Sequence, residues 1–230
     1  MLKNIKPSIR NLFIHSETAK EAKEKWNALA RKNARYFVLS TKQSESEEEF
    51  RATGQRDVRR FILDDEHLQP ILAGKPLVLE IGCGLGRLSE FVAPHVGHLY
   101  ATDISEEMIK QAKVRLAHIK NIDFLATDGV NYPLQDESVD TVFSYTVFQH
   151  MPTKEVVRKN IREISRVLKV GGIAKIHLRE VVVSKNEWFY GPSLNPEEIM
   201  SMVRRLPLEV IGSMEMGKNF WVWLKKCNAS

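Results

Sequence analysis

The chain has 230 residues, 43% of them hydrophobic and 27% charged, with a formal net charge of +5. That is ordinary for a folded domain with a short N-terminal extension, and no apolar stretch approaches the roughly 20 residues needed to cross a bilayer. The stretch from Met1 to Ile14 lacks the uninterrupted apolar core of a secretory signal, and Cys83 and Cys227 offer no disulfide framework, so a cytoplasmic setting is expected.

The isoelectric point near 9.1 leaves an acidic partner such as nucleic acid open. Against it, signs alternate from Glu17 to Lys25 and the stretch from Glu45 to Glu49 is acidic, as on solvated helix faces. Residues 1–74 read as a helical extension. Trp26, Leu29, Ala30 and Asn33 fall at helical spacing, as do Val58, Phe61, Ile62 and Asp65, with a polar loop from Ser40 to Glu48 between.

From residue 75 to 230, strand-like and helix-like segments alternate, the pattern of a parallel sheet covered by helices. Strands are predicted at Leu77–Ile81, His98–Asp103, Ile122–Ala126, Ser138–Tyr145, Ile173–Leu178, Leu208–Ile211 and Phe220–Leu224. Leu85–Val92 reads as a helix. Ser105 is a plausible N-cap for another, with Met108, Ala112, Leu116 and Ile119 as its buried stripe. A third carries Val157, Ile161, Ile164 and Leu168, and Gly171-Gly172 is expected to stop it. Asn195-Pro196-Glu197-Glu198 opens a fourth.

The most informative segment is Glu80-Ile81-Gly82-Cys83-Gly84-Leu85-Gly86. Alternate glycines between an apolar strand and a helix start let a ligand lie directly against the backbone, where open α/β sheets bind nucleotide-like molecules. The spacing is not the G-x-G-x-x-G of dinucleotide loops, nor does a Lys-Ser/Thr pair follow as in a P-loop. Glu80 suits a ligand bearing an amino group and a sulfonium better than a pyrophosphate. Cys83 is either a small filler of this loop or a thiol activated by it. Asp103 can accept from both hydroxyls of a ribose, or serve the following helix. Asp128-Gly129 can meet an adenine amino group, or form a surface turn.

Together, VLEIGCGLGRLSEF, the acid in YATDISEEMIKQAK, FLATDG, PLQDESVDTVFSYTVFQHM and ISRVLKVGGIAKIHL resemble the class I S-adenosylmethionine-dependent methyltransferases, especially those acting on small molecules. The resemblance spans Leu77 to Arg179. It implies an α/β three-layer sandwich with a seven-stranded, mostly parallel sheet whose last strand is antiparallel, and S-adenosyl-L-methionine as cofactor. It places Glu80, Gly82 and Gly84 around the methionine part, with Gly86 opening the next helix. Asp103 would hold the ribose, Ile104 would lie against the adenine, and Asp128 and Gly129 would meet its edge. Tyr145 would lie near the transferring methyl. The N-terminal extension would form a lid, making Trp26, Tyr36 and Phe37 substrate-pocket candidates as well as candidates for simple core packing.

Because a sulfonium methyl is already activated, the enzyme has mainly to align a nucleophile and exclude water, and no metal is required. The seven histidines form no short ligand motif. His150, following the fourth predicted strand, can act as a general base or cap and pack locally. Trp188, Phe189 and Tyr190 can line an apolar acceptor pocket or cover the sheet edge. Two other readings stay open: an RNA or protein methyltransferase, and a catalytically silent cofactor-binding scaffold. Residues 140–150 lack the Asn/Asp-Pro-Pro-aromatic motif of base-amino methylation. The sequence carries no signature of the acceptor's identity or of oligomeric state.

Overall fold

A computed structural model describes residues 18–39, 46–180 and 191–228. The extension contributes α1 (Ala19–Leu39), α2 (Glu47–Val58), a π-helical segment (Arg59–Leu63) and the single turn α3 (Gln69–Leu72). There follow β1 (Leu77–Ile81), α4 (Ser89–Val92), β2 (His98–Asp103), α5 (Glu106–Arg115), β3 (Ile122–Ala126), β4 (Val139–Ser144), α6 (Lys154–Val167), β5 (Leu168–Arg179), α7 (Pro196–Val203), β6 (Leu208–Met216) and β7 (Asn219–Lys226).

The seven strands form one sheet in the order β3-β2-β1-β4-β5-β7-β6. Neighbours from β3 to β5 are parallel, and β7 runs antiparallel to both β5 and β6. This is the expected sheet with its antiparallel last strand. One face is covered by α6 and α7, through Val157, Ile161, Ile164, Ile199 and Met202. The other is covered by α5, α4 and the π-helical segment, through Ile109, Ala112, Val92, Phe61 and Ile62. Strand β1 is buried on both faces, as its apolar run requires.

Local signals explain most helix starts. Ser105, Thr153 and Asn195 each accept the backbone N–H three residues on, and Asn195 forms a capping box with Glu198. Ser46 does the same for α2, so the polar loop predicted to Glu48 gives way to helix at Glu47, where three acids fill the first turn. Within α1, Asn33 leaves helical geometry (φ −168°, ψ 80°) and its side chain accepts from Tyr36 N–H, restarting the helix.

Two predicted boundaries are corrected. The helix expected over Leu85–Val92 is reduced to Ser89–Val92, because residues 84–88 form turns. Helix α6 ends at Val167, not at the glycine pair, and β5 begins at Leu168, which is fully buried and pairs with Val139. The residues between Leu168 and Ile173 bulge out of register, with Gly171 at φ +81° making the bend.

The extension is fastened to the sheet by buried charge. Lys175 of β5 is 2% exposed, and its ammonium donates to Asp65 (2.7 Å) and to the carbonyl of Phe61 (2.6 Å). Trp223 Nε1 donates to the same carboxylate at 3.0 Å, and the Lys175 ammonium lies 4.5 Å from the centre of the Trp221 ring. Burial pushes the Lys175 pKa down, against the pull of Asp65.

Candidate active site

A cavity of about 510 Å³ opens over β1, β2 and β4. It lies where the strand order reverses between β1 and β4, the crevice in which open α/β sheets bind ligands.

The floor is backbone. Gly82, Gly84 and Gly86 all have positive φ, and Gly82 and Cys83 N–H both donate to the Thr102 carbonyl at the end of β2 (2.7 and 2.9 Å). A Cβ on Gly82 would sit 2.2 Å from a Val147 methyl, so glycine there is a steric requirement as well as a conformational one. Gly84 N–H donates to Asp103 Oδ2 (2.9 Å), and Ser105 N–H donates to Oδ1 (2.8 Å). One carboxylate is thereby fixed to the glycine loop and to the start of α5. Burial raises the Asp103 pKa despite these bonds.

Glu80 is 3% exposed and accepts from Ser89 Oγ at 2.5 Å. Burial raises its pKa to about 7, with the Ser89 hydrogen bond and the Arg87 charge pulling the other way. A buried acid in this state favours a cation placed beside it. Cys83 is buried, and burial holds its thiol well above the usual range, which suits a filler rather than a nucleophile.

The roof is α1. Ala19, Ala22, Trp26, Phe37, Val38 and Leu39 line the cavity. Asn27 fastens this helix to α5, accepting from Ser105 Oγ (2.8 Å) and Glu107 N–H (3.1 Å). Trp26 meets the His150 ring edge-on, with centroids 5.4 Å apart, and His150 faces the cavity from the turn Phe148–His150 after β4. Tyr145 lines the wall in an aromatic stack: its ring is nearly parallel to Trp221 (centroids 5.5 Å) and lies 5.1 Å from His177.

Of the residues singled out in the sequence, Glu80, Gly82, Cys83, Gly84, Asp103, Ile104, Gly129, Tyr145, His150, Trp26 and Phe37 share this cavity. Ile104 packs against Gly129. Gly86, Asp128 and Tyr36 do not line it. Asp128 turns its carboxylate to its own loop, accepting from Val130 and Asn131 N–H and from the Asn131 amide. Tyr36 is 42% exposed and packs edge-on against Phe37. Trp188, Phe189 and Tyr190 lie outside the described residues.

The cavity also contains polar groups that sequence reasoning did not select: Asp57, Arg87, Asn160, Arg179 and Lys218. Arg87 carried a signal, being a charged residue in a glycine and leucine loop. Arg179 did too, since Lys175, His177 and Arg179 alternate in an otherwise apolar strand. Asp57 and Asn160 sit at unremarkable helical positions, and only the fold brings them here. The acids Glu80 and Asp103 end β1 and β2. The cations Arg179 and Lys218 come from the far side of β4, on β5 and the β6–β7 turn.

A family model described as a methyltransferase domain matches residues 79–176. A Triticum aestivum phosphoethanolamine N-methyltransferase is 36% identical over 107 residues, covering 46% of this chain and 21% of that protein. A demethylmenaquinone methyltransferase from Clavibacter sepedonicus is 33% identical over 95 residues, covering 41% of this chain and 38% of that one. The chain therefore spans well under half the length of these relatives. Among solved structures, Haemonchus contortus phosphoethanolamine N-methyltransferase 1, in complex with phosphoethanolamine and S-adenosylhomocysteine, superposes with a TM-score of 0.64. It is 18% identical, and the match covers 92% of this chain and 50% of that one, a likeness of fold.

Proposed function

We propose that the core of this chain is a class I, Rossmann-like S-adenosylmethionine-dependent methyltransferase domain that moves a methyl group to an oxygen, nitrogen or carbon nucleophile of a small molecule. The observation that carries the reading is the convergence of the Gly82–Gly84 backbone and the Asp103 carboxylate on one roofed cavity. The cradle fits the cofactor: bare main chain below, a carboxylate for the ribose diol, and a buried acid for the cationic methionine end. Ile104 and Gly129 make an apolar wall for the adenine.

Bound there, S-adenosyl-L-methionine supplies an activated methyl group. The protein's part is then to align the acceptor and keep water out, effects that supply much of the acceleration in such sites. Trp26 and Phe37 close the cavity from above, and Tyr145 orders the wall beside the methyl. His150, positioned by Trp26, removes the acceptor's proton where the acceptor must lose one. Arg179 and Lys218, on the β5 and β6–β7 side of the cavity, favour an acceptor bearing an anionic group lodged toward them. Of the substrates named for the relatives, phosphoethanolamine has that character.

Calorimetric titration with S-adenosylhomocysteine, followed by a methyl-transfer assay on anionic and uncharged acceptors across a pH series, tests this. The expected result is cofactor uptake, preference for anionic acceptors, and turnover that falls in His150→Ala without loss of cofactor affinity. Absence of uptake by folded protein would refute the assignment. Salt-sensitive RNA binding with no small-molecule product would favour a macromolecular acceptor.

A further inference from the structure

Arg87 is 5% exposed, yet it lines the cavity beside the glycine loop. Its Nη1 donates to Asp57 Oδ2 (2.7 Å) and to Thr53 Oγ1 (3.3 Å), both on α2. No hydrogen bond from Nε or Nη2 to another described residue accompanies them. The guanidinium carbon lies 5.9 Å from the centre of the Tyr145 ring, and its charge acts on both Glu80 and Tyr145.

Helix α2 is shaped to hold this arginine. Phe50, Thr53, Gly54 and Val58 are its buried face, and Asp57 continues it at helical spacing. A Cβ on Gly54 would come within 2.3 Å of the Arg87 carbonyl oxygen, so the helix seats directly on the loop backbone. A guanidinium buried this deeply is costly unless paired, and Asp57 provides the pairing without using every donor.

The methionine end of S-adenosylmethionine carries an ammonium and a carboxylate on one carbon. Near Glu80 and Asp103 the ammonium is favoured, but a carboxylate in the same buried space needs a positive partner or N–H donors. Resting on the cofactor reading above, we propose that Arg87 is the cation that receives this carboxylate, with Asp57 and Thr53 as its positioning residues. The extension is then part of the cofactor site as well as a cover for the acceptor.

The test is a double cycle of ligand and protein by calorimetry, using S-adenosylmethionine and its decarboxylated analogue. Arg87→Gln is expected to weaken S-adenosylmethionine about 10- to 100-fold, the range for a charge-assisted hydrogen bond, and the decarboxylated ligand by no more than about twofold. Equal weakening of both ligands would overturn the proposal and leave Arg87 a structural ion pair. Arg87→Lys, which keeps the charge should the glutamine variant not fold, is expected to show the same selectivity at smaller size, and equal losses there also overturn it. A parent protein that binds both ligands alike overturns the carboxylate contact while sparing the cofactor reading. A parent that binds neither sinks both.

Discussion

On the β1–β2 side the cavity is made of main chain and two carboxylates: the positive-φ glycines Gly82 and Gly84, two N–H groups on the Thr102 carbonyl, the buried Glu80, and Asp103 held at both oxygens. On the opposite side it is made of long charged side chains, some neutralised by residues far away in sequence. Arg179 reaches the cavity from the end of β5, and Arg87, rising past the glycine loop, leans on Asp57; behind this wall Lys175 leans on Asp65. The first construction depends on local backbone geometry and tolerates little change of residue type. The second depends on the extension being docked, so its charges are only as well placed as α2 and the π-helical segment are. One domain thus joins a nearly fixed floor to a wall whose chemistry is set by packing.

The sharpest way to break this contrast is Asp65→Ala. It leaves the Lys175 ammonium buried with the Phe61 carbonyl as its remaining hydrogen-bond acceptor and removes the acceptor of Trp223 Nε1. Removing one partner of a buried pair costs about 3–5 kcal/mol, a large share of a typical domain's stability. Chemical denaturation should register that loss. A loss near zero would mean that the extension is held by Phe61 and Ile62 packing alone.

Glu80 offers the next effect, on the floor side. The unfolded chain releases this proton near pH 4.5, whereas the folded protein keeps it to about 7. Between those values the folded state binds more protons, so the ligand-free protein should lose stability as pH rises through this window and level off above it, by up to about 3 kcal/mol. Glu80→Gln should flatten the curve, and a profile unchanged by the substitution would deny the buried acid its role. A cationic ligand reverses the preference, so uptake of the cofactor near pH 7 should release a proton from the parent and none from Glu80→Gln. Titration in two buffers of different ionisation enthalpy reads this directly.

Legibility in the sequence follows the same division. The Ser105 cap and the helix start at Asn195 are short-range signals, and each is present as read; the glycine turns and Asp103 at the end of β2 are equally local features. Asp57 and Arg87 are separated by thirty positions and meet only because α2 lands on the loop. Asp57 shares the helical spacing of Phe50, Thr53 and Gly54, but that face carries one large apolar residue among small and polar ones, and a charge on a helix ordinarily means a solvated face. The glycine pair at 171–172 misled for a related reason. Locally it reads as a helix stop, but burial of Leu168 against the sheet ends the helix earlier and leaves the glycines to form a bulge.

The smallest expected effect sharpens the floor itself, by setting two acids at neighbouring strand ends against each other. Asp103 ends β2 and faces the cavity; Asp128, just past β3, turns its oxygens to Val130 and Asn131. Asp103→Ala should therefore weaken S-adenosylhomocysteine binding by about 1–3 kcal/mol, the range for lost hydrogen bonds to a charged acceptor. In the empty protein that change removes a charge that burial disfavours but also leaves the Gly84 and Ser105 N–H groups without their acceptor, two effects that oppose each other. Asp128→Ala should instead act on stability, costing about 1 kcal/mol through its lost turn and leaving cofactor affinity within about 0.5 kcal/mol of the parent. Equal losses of affinity in the two variants would show that Asp128 turns inward when the adenine arrives. The floor would then be less fixed than its hydrogen bonds suggest, and the contrast with the charged wall would narrow to one of degree.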